Sequence, residues 1–243
     1  MEPIFANIVV ETFIKGGTIM WPILFCLLIA VTVVVERGLW WFRLFRIHSK
    51  ENLEAVFFAI AEGGFKEAYE ETFRTEDPHM MTIRSGLEHA HTSLLGAMQL
   101  RASEILEEAE KRLWVLGTFI TLSPLLGLMG TVVGIMHSFS FIGDEALAAT
   151  KVSGGIGEAL IATACGLGIA ILCLIPYNYF NRLLALLRGR LERTINHVEL
   201  LVESAKHHGY ELEDFSKQHA RRPKRRLRPS QVNESTVSQP AKV

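Results

Sequence analysis

Cysteine is nearly absent: Cys26, Cys165 and Cys173 are the only three in 243 residues. All three fall inside apolar runs, which excludes a disulfide framework and fits small buried hydrophobes. Neither sign of charge dominates, with 25 Lys and Arg against 26 Asp and Glu and a formal charge of −1, so a strongly basic nucleic-acid-binding domain and an acidic disordered chain are both excluded. The sequence offers no metal-ligand spacing, no nucleophile–base pair and no phosphate loop. No metal and no cofactor is expected, and the chain reads as a non-enzyme.

The most local scarcity is of charge. Gly17 to Val35 carries no charged residue, Leu113 to Gly143 carries none apart from His137, and Ala159 to Asn181 carries none. A helix crosses a bilayer with about 20 apolar residues, so the chain accommodates three spans. The expected fold class is an all-α integral membrane protein with three transmembrane helices, the second and third extended into long cytoplasmic helices. The segment before Gly17 carries Glu2 and Glu11 beside Lys15, and the run after it is too long for a signal-peptide core, so the first span is expected to stay as an anchor.

Orientation follows from Lys and Arg beside the spans. Lys15 alone precedes the first span, whereas Arg37, Arg43, Arg46 and Lys50 follow it; Lys151 alone lies in the second connection, whereas Arg182, Arg188, Arg190 and Arg193 follow the third span. This places the N-terminus outside and the C-terminus in the cytoplasm. Trp21, Trp40, Trp41, Trp114, Tyr177 and Tyr179 lie near span ends, as interfacial anchors do.

The expected division is an outer N-terminal segment 1–16, a first span 17–36, a cytoplasmic helical insert 37–112, a second span 113–143, an outer loop 144–152, a third span 153–181, a cytoplasmic helix 182–220 and a basic tail 221–243. In the insert, Leu53, Val56, Phe57 and Ile60, then Leu87, Leu94, Leu95 and Met98, recur at helical spacing, with Gly63-Gly64 and Asp77-Pro78 as punctuation. From Pro78 no strong breaker interrupts the pattern, which predicts one long helix reaching Phe141. Beyond Arg182, Leu183, Leu184, Leu187, Leu191, Ile195 and Val198 form an amphipathic stripe. The tail packs six basic residues into the eight from Arg221 to Arg228. Disorder and attraction to anionic lipid are expected there; nucleic-acid binding is not, for lack of aromatic interleaving.

Two spans carry the chemistry. In the second, Ser123, Gly127, Thr131, Gly134 and Ser138 make one small, weakly polar face, and Gly127, Gly130 and Gly134 are read as helix-packing positions. The Thr131 hydroxyl either bonds back to its own helix or lines a hydrated path. In the third, Ala162, Gly166 and Ala170 form a small stripe, and Glu158 lies one turn before Ala162. Glu158 is the only Asp, Glu, Lys or Arg in the 30 residues from Val152 to Asn181. An ionisable group at the edge of a span is expensive and points to ion movement, although a carboxylate wetted at a helix N-terminus is the plainer alternative. Thr163 lies about 140° around the helix from Glu158, so the two share a surface only if that surface is broad.

The stretches Leu126-Gly127-Leu128-Met129-Gly130-Thr131-Val132-Val133-Gly134-Ile135-Met136 and Gly157-Glu158-Ala159-Leu160-Ile161-Ala162-Thr163-Ala164, with Tyr177-Asn178 closing the span, resemble the two signature helices of the ExbB/TolQ/MotA proton-channel family. Three spans and Glu158 favour its ExbB/TolQ branch, and the likeness covers roughly residues 10 to 205. It implies a homopentamer in a bacterial inner membrane, with the outer side the periplasm, enclosing a single-span ExbD- or TolR-like partner. Thr131, Glu158 and Thr163 are implied to line the proton path or face that partner. The implied function is a proton-channel and motor subunit that uses the proton motive force to energise a TonB- or TolA-like periplasm-spanning protein, for outer-membrane transport or envelope maintenance. A passive membrane scaffold and a sodium-driven relative are the alternative readings. Leu172 stands where many relatives have proline, and Pro176 follows four residues later.

Overall fold

A computed structural model describes residues 11–47, 50–140, 148–210, 212 and 216. The N-terminal segment through residue 10, the connection at 141–147 and the basic tail 221–243 lie outside the described residues. After a helical segment at residues 11–15 come seven longer helices: α1 (Met20–Ile47), α2 (Lys50–Ala61), α3 (Phe65–Glu71), α4 (Pro78–Glu88), α5 (Ala90–Glu110), α6 (Leu113–Phe139) and α7 (Ala148–His207). No strand is found among the described residues. Three helical stretches are long and apolar enough to cross a membrane, within Met20–Ile47, Ala90–Phe139 and Val152–His207. The chain is an all-α, multi-pass membrane protein.

The 60 residues of α7 make a rod of roughly 90 Å at 1.5 Å per residue, about three times the hydrocarbon thickness. Its apolar stripe is what the other helices pack on. Leu184, Leu187, Leu191, Ile195, Val198 and Val202 are all buried at helical spacing, against Val56 and Ile60 of α2, Met80, Ile83 and Leu87 of α4, and Met98, Ala102 and Ile105 of α5 within one continuous core. The helix stays continuous through Pro176. Its described end is marked by Gly209 at φ 89°, a left-handed position suited to glycine. The chain then turns back so that the Tyr210 ring sits where a Cβ on Gly63, itself at φ 76°, would lie.

The single helix expected from Pro78 to Phe141 is three helices. Asp77 caps the first, its Oδ1 accepting the His79 N–H at 2.8 Å, with Pro78 in the first turn. Within α5, Ser93 adopts an extended backbone at φ −166°, ψ 108° and kinks the helix. Between α5 and α6, Arg112 takes φ 66°, a conformation costly for a residue with a Cβ. No glycine or proline marks this break because tertiary contacts hold it. Arg112 pairs with Glu36 of α1, and the neighbouring Arg37, buried at 4 % exposure, donates to the Glu108 carbonyl at 3.0 Å and to Glu36 at 3.1 Å. Arg37 thereby satisfies an orphan carbonyl at the end of α5 while tying α1 to the break. A charged hydrogen bond of this kind is worth about 1.5–3 kcal/mol. Arg37→Ala is expected to lower the unfolding free energy of the detergent-solubilised protein by about that amount, read by thermal or denaturant unfolding; a loss below about 0.5 kcal/mol contradicts the anchoring role.

Candidate functional site: the seam between the second and third spans

Helices α6 and α7 run antiparallel, and small residues let their backbones meet. A Cβ on Gly166 would stand 2.5 Å from the Ser123 carbonyl oxygen and 3.0 Å from the Gly127 Cα. One on Gly127 would stand 3.0 Å from the Thr163 Cα, one on Gly130 2.7 Å from the Ala162 Cβ, and one on Gly134 2.9 Å from the Ala159 Cβ. Ala159 and Ala162 are almost fully buried, and Ala170 is buried further along the same helix. Such approach distances leave no room for larger side chains, the general basis of small-residue packing in membranes.

The two threonines are engaged differently. Thr131 donates to the Leu128 carbonyl of its own helix at 2.6 Å and is half-buried. Thr163 crosses the seam, donating to the Gly127 carbonyl at 2.8 Å, and so locks α7 to α6. Ser138 bonds back to the Gly134 carbonyl at 2.8 Å. The hydroxyl of Ser123 is fully buried in the seam without a hydrogen-bond partner, and Pro124 beside it interrupts the α6 ladder.

Glu158 sits at the edge of this seam, half-buried, one residue from Ala159. Its carboxylate packs against the turn that precedes α1. Gly17 adopts φ +68°, and a Cβ there would fall on the Glu158 carboxylate, 2.5 Å from Cδ. Gly16 lies in the same turn, where a Cβ would come within 3.3 Å of Ile161. Gly17 is therefore needed twice, for its backbone conformation and for the space the carboxylate fills. The structure thus brings Thr163 to Gly127 and Glu158 to Gly17, while no hydrogen bond joins Thr131 to Glu158 or Thr163 among the described residues. Sequence reasoning placed Ser123 on the small face but missed the roles of Gly17, Arg37 and Pro124. The adjacent pair Gly16-Gly17 just ahead of an apolar run was the available signal for a tight turn.

The Gly17 contact is testable by a double-mutant cycle. Gly17→Ala is expected to destabilise the protein by about 1–2 kcal/mol from backbone strain, plus a further penalty from displacing the carboxylate. In a Glu158→Ala background that further penalty should vanish, making the alanine at 17 cheaper by about 1 kcal/mol. Equal costs in both backgrounds, measured by denaturant unfolding, contradict the contact.

Fold and site together define a three-span helical membrane protein with a tight small-residue seam between spans two and three, edged by one carboxylate. The profile of the MotA/TolQ/ExbB proton channel family matches residues 70–193, a stretch holding Thr131, Glu158, Thr163 and the whole seam. Over 175 residues the chain is 33% identical to the ExbB-like 1 biopolymer transport protein of Synechocystis, covering 69% of this chain and 68% of that one. An ExbB homologue of Methanothermobacter thermautotrophicus is 28% identical over 83% of this chain and 71% of its own. The Tol-Pal system protein TolQ of Haemophilus influenzae is 45% identical over a shorter stretch, 34% of this chain and 36% of its own. The chain belongs to the MotA/TolQ/ExbB proton channel family, on its ExbB/TolQ branch.

Proposed function

We propose that this chain is the channel-forming subunit of an inner-membrane motor that passes protons down the proton motive force to energise a TonB- or TolA-like protein. In this reading five copies surround the single span of an ExbD- or TolR-like partner, with N-termini in the periplasm and the helical insert in the cytoplasm. The observation that carries it is Glu158. It is the only Asp, Glu, Lys or Arg between residues 152 and 181, and it is held half-buried at the edge of the seam by a turn built around Gly17.

The division of labour follows from what each side chain has left to offer. The Thr163 hydroxyl proton is already committed to Gly127, so Thr163 positions α7 beside the path. Thr131 holds its hydroxyl against Leu128 and presents a half-buried oxygen to a hydrated lumen shared with the partner. Glu158 places a carboxylate near the entrance, where its field biases protonation of a carboxylate on the partner. Moving one proton charge through 100 mV releases about 2.3 kcal/mol, enough for repeated transfers to drive a conformational step. The test is proton entry into vesicles holding the chain with its single-span partner, compared with the chain alone. Flux should require the partner and persist when Na⁺ is replaced by K⁺.

A further inference from the structure

Away from the seam, at the end of the spans that carries the helical insert, two adjoining cavities share His79 and Arg190. The first, about 130 Å³, lies among Trp41, Leu44 and Phe45 of α1, the start of α4, and Leu183 and Leu187 of α7. Its walls are mostly apolar, but Trp41 is only 3 % exposed and its indole N–H is buried without a hydrogen-bond partner. Burying such a donor unpaired costs free energy, and its neighbours close this N–H off from the cavity, so the ring contributes an apolar wall. The second cavity, about 330 Å³, lies further along α7, lined by Arg190, Arg193, Thr194 and His197 with Leu53 and Phe57 of α2.

No carboxylate lines the second cavity, and Arg190 and Arg193 have no ion-pair partner among the described residues. Asp77, in the wall of the first cavity, is buried and engaged as the cap of α4. His197 is held flat against the Phe57 ring, centroids 4.5 Å apart, and Thr194 against His79 Nδ1 at 2.8 Å, while Arg190 and Arg193 are exposed beside them. Passing along α7 away from the spans, mostly apolar walls give way to two exposed guanidinium groups. That order matches an anionic amphiphile, with the acyl root against Trp41 and Leu187 and the phosphate at Arg190 and Arg193.

We infer that these two cavities form one binding site for an anionic phospholipid, seated between α1, α2 and α7 where the spans leave the bilayer. The bound lipid joins the ends of the first and third spans to the helical insert. This site is separate from the basic tail 221–243, which lies outside the described residues.

The experiment is native mass spectrometry of the full-length protein in detergent, titrated with dioleoyl-phosphatidylglycerol, with dioleoyl-phosphatidylcholine, or with inorganic phosphate as competitor. The protein should retain phosphatidylglycerol over phosphatidylcholine by about thirtyfold, and Arg190→Gln/Arg193→Gln should remove most of that preference. Arg190→Lys/Arg193→Lys should keep a large part of it, and Arg188→Gln, which lies outside both cavities, should leave it unchanged. Equal retention of the two lipids overturns the site. So does a preference that survives in Arg190→Gln/Arg193→Gln but disappears when the tail is removed. Displacement of phosphatidylglycerol by equimolar inorganic phosphate overturns the lipid assignment.

Discussion

Gly166→Val is expected to prevent the chain from folding into a stable membrane subunit. The first carbon of any side chain at this position would stand 2.5 Å from a backbone oxygen of α6 and 3.0 Å from the Gly127 Cα. Backbone atoms in the middle of a span cannot swing aside as a side-chain end does, so α6 and α7 must separate. Overpacking by a methylene or two costs typically 1–3 kcal/mol. Valine at Gly166 adds three carbons at the tightest crossing and should cost at least about 3 kcal/mol on that scale. It should also break the Thr163–Gly127 bond. The control is Gly168→Val, two residues along, where a Cβ meets nothing within 4 Å. Thermal unfolding and gel filtration in detergent should show an aggregated or strongly destabilised Gly166→Val protein beside a near-normal Gly168→Val one. Similar behaviour of the two would remove the seam as the organising contact.

The small residues of this seam also mark how far the fold can be read from sequence. Gly127, Gly134, Ala162, Gly166 and Ala170 recur at helical spacing inside charge-free runs, so both the spans and the small face are visible in the order of residues alone. The stripe from Leu184 to Val198 is legible for the same reason: its period is local. The break at Arg112 is not, because nothing in its own segment requires it; it depends on Glu36 and Arg37, more than 70 residues away. Likewise the partner of Glu158 is Gly17, contributed by a turn on another helix, and periodicity within α7 says nothing about it. Thr131 and Thr163 look equivalent in sequence, both small hydroxyl residues in apolar spans. Only the packing separates them, since one bonds within its helix and the other across the seam. The paired cavities require α1, α2, α4 and α7 together and leave no mark on any one of them.

The second large effect concerns Glu158→Gln. Glutamine keeps nearly the same volume and so leaves the Gly17 turn occupied, while removing the charge. At an effective dielectric of about 20, one charge acting over about 10 Å is worth roughly 1.7 kcal/mol, more than a tenfold change in the occupancy of a nearby proton site. Flux through an assembled complex should fall by about that factor. Thr131→Val should produce a smaller loss, since it removes one hydroxyl from the path and no charge. A passive scaffold predicts the reverse: both variants would retain full coupled activity whenever the complex assembles.

The most direct test of the account is proton influx, followed by an internal pH-sensitive dye under an imposed membrane potential, into vesicles containing the chain and its single-span partner. Assembly of each variant is verified by gel filtration of the same preparation. The account predicts partner-dependent influx in the wild type and at least about a tenfold reduction in assembled Glu158→Gln. Wild-type influx in assembled Glu158→Gln would contradict it.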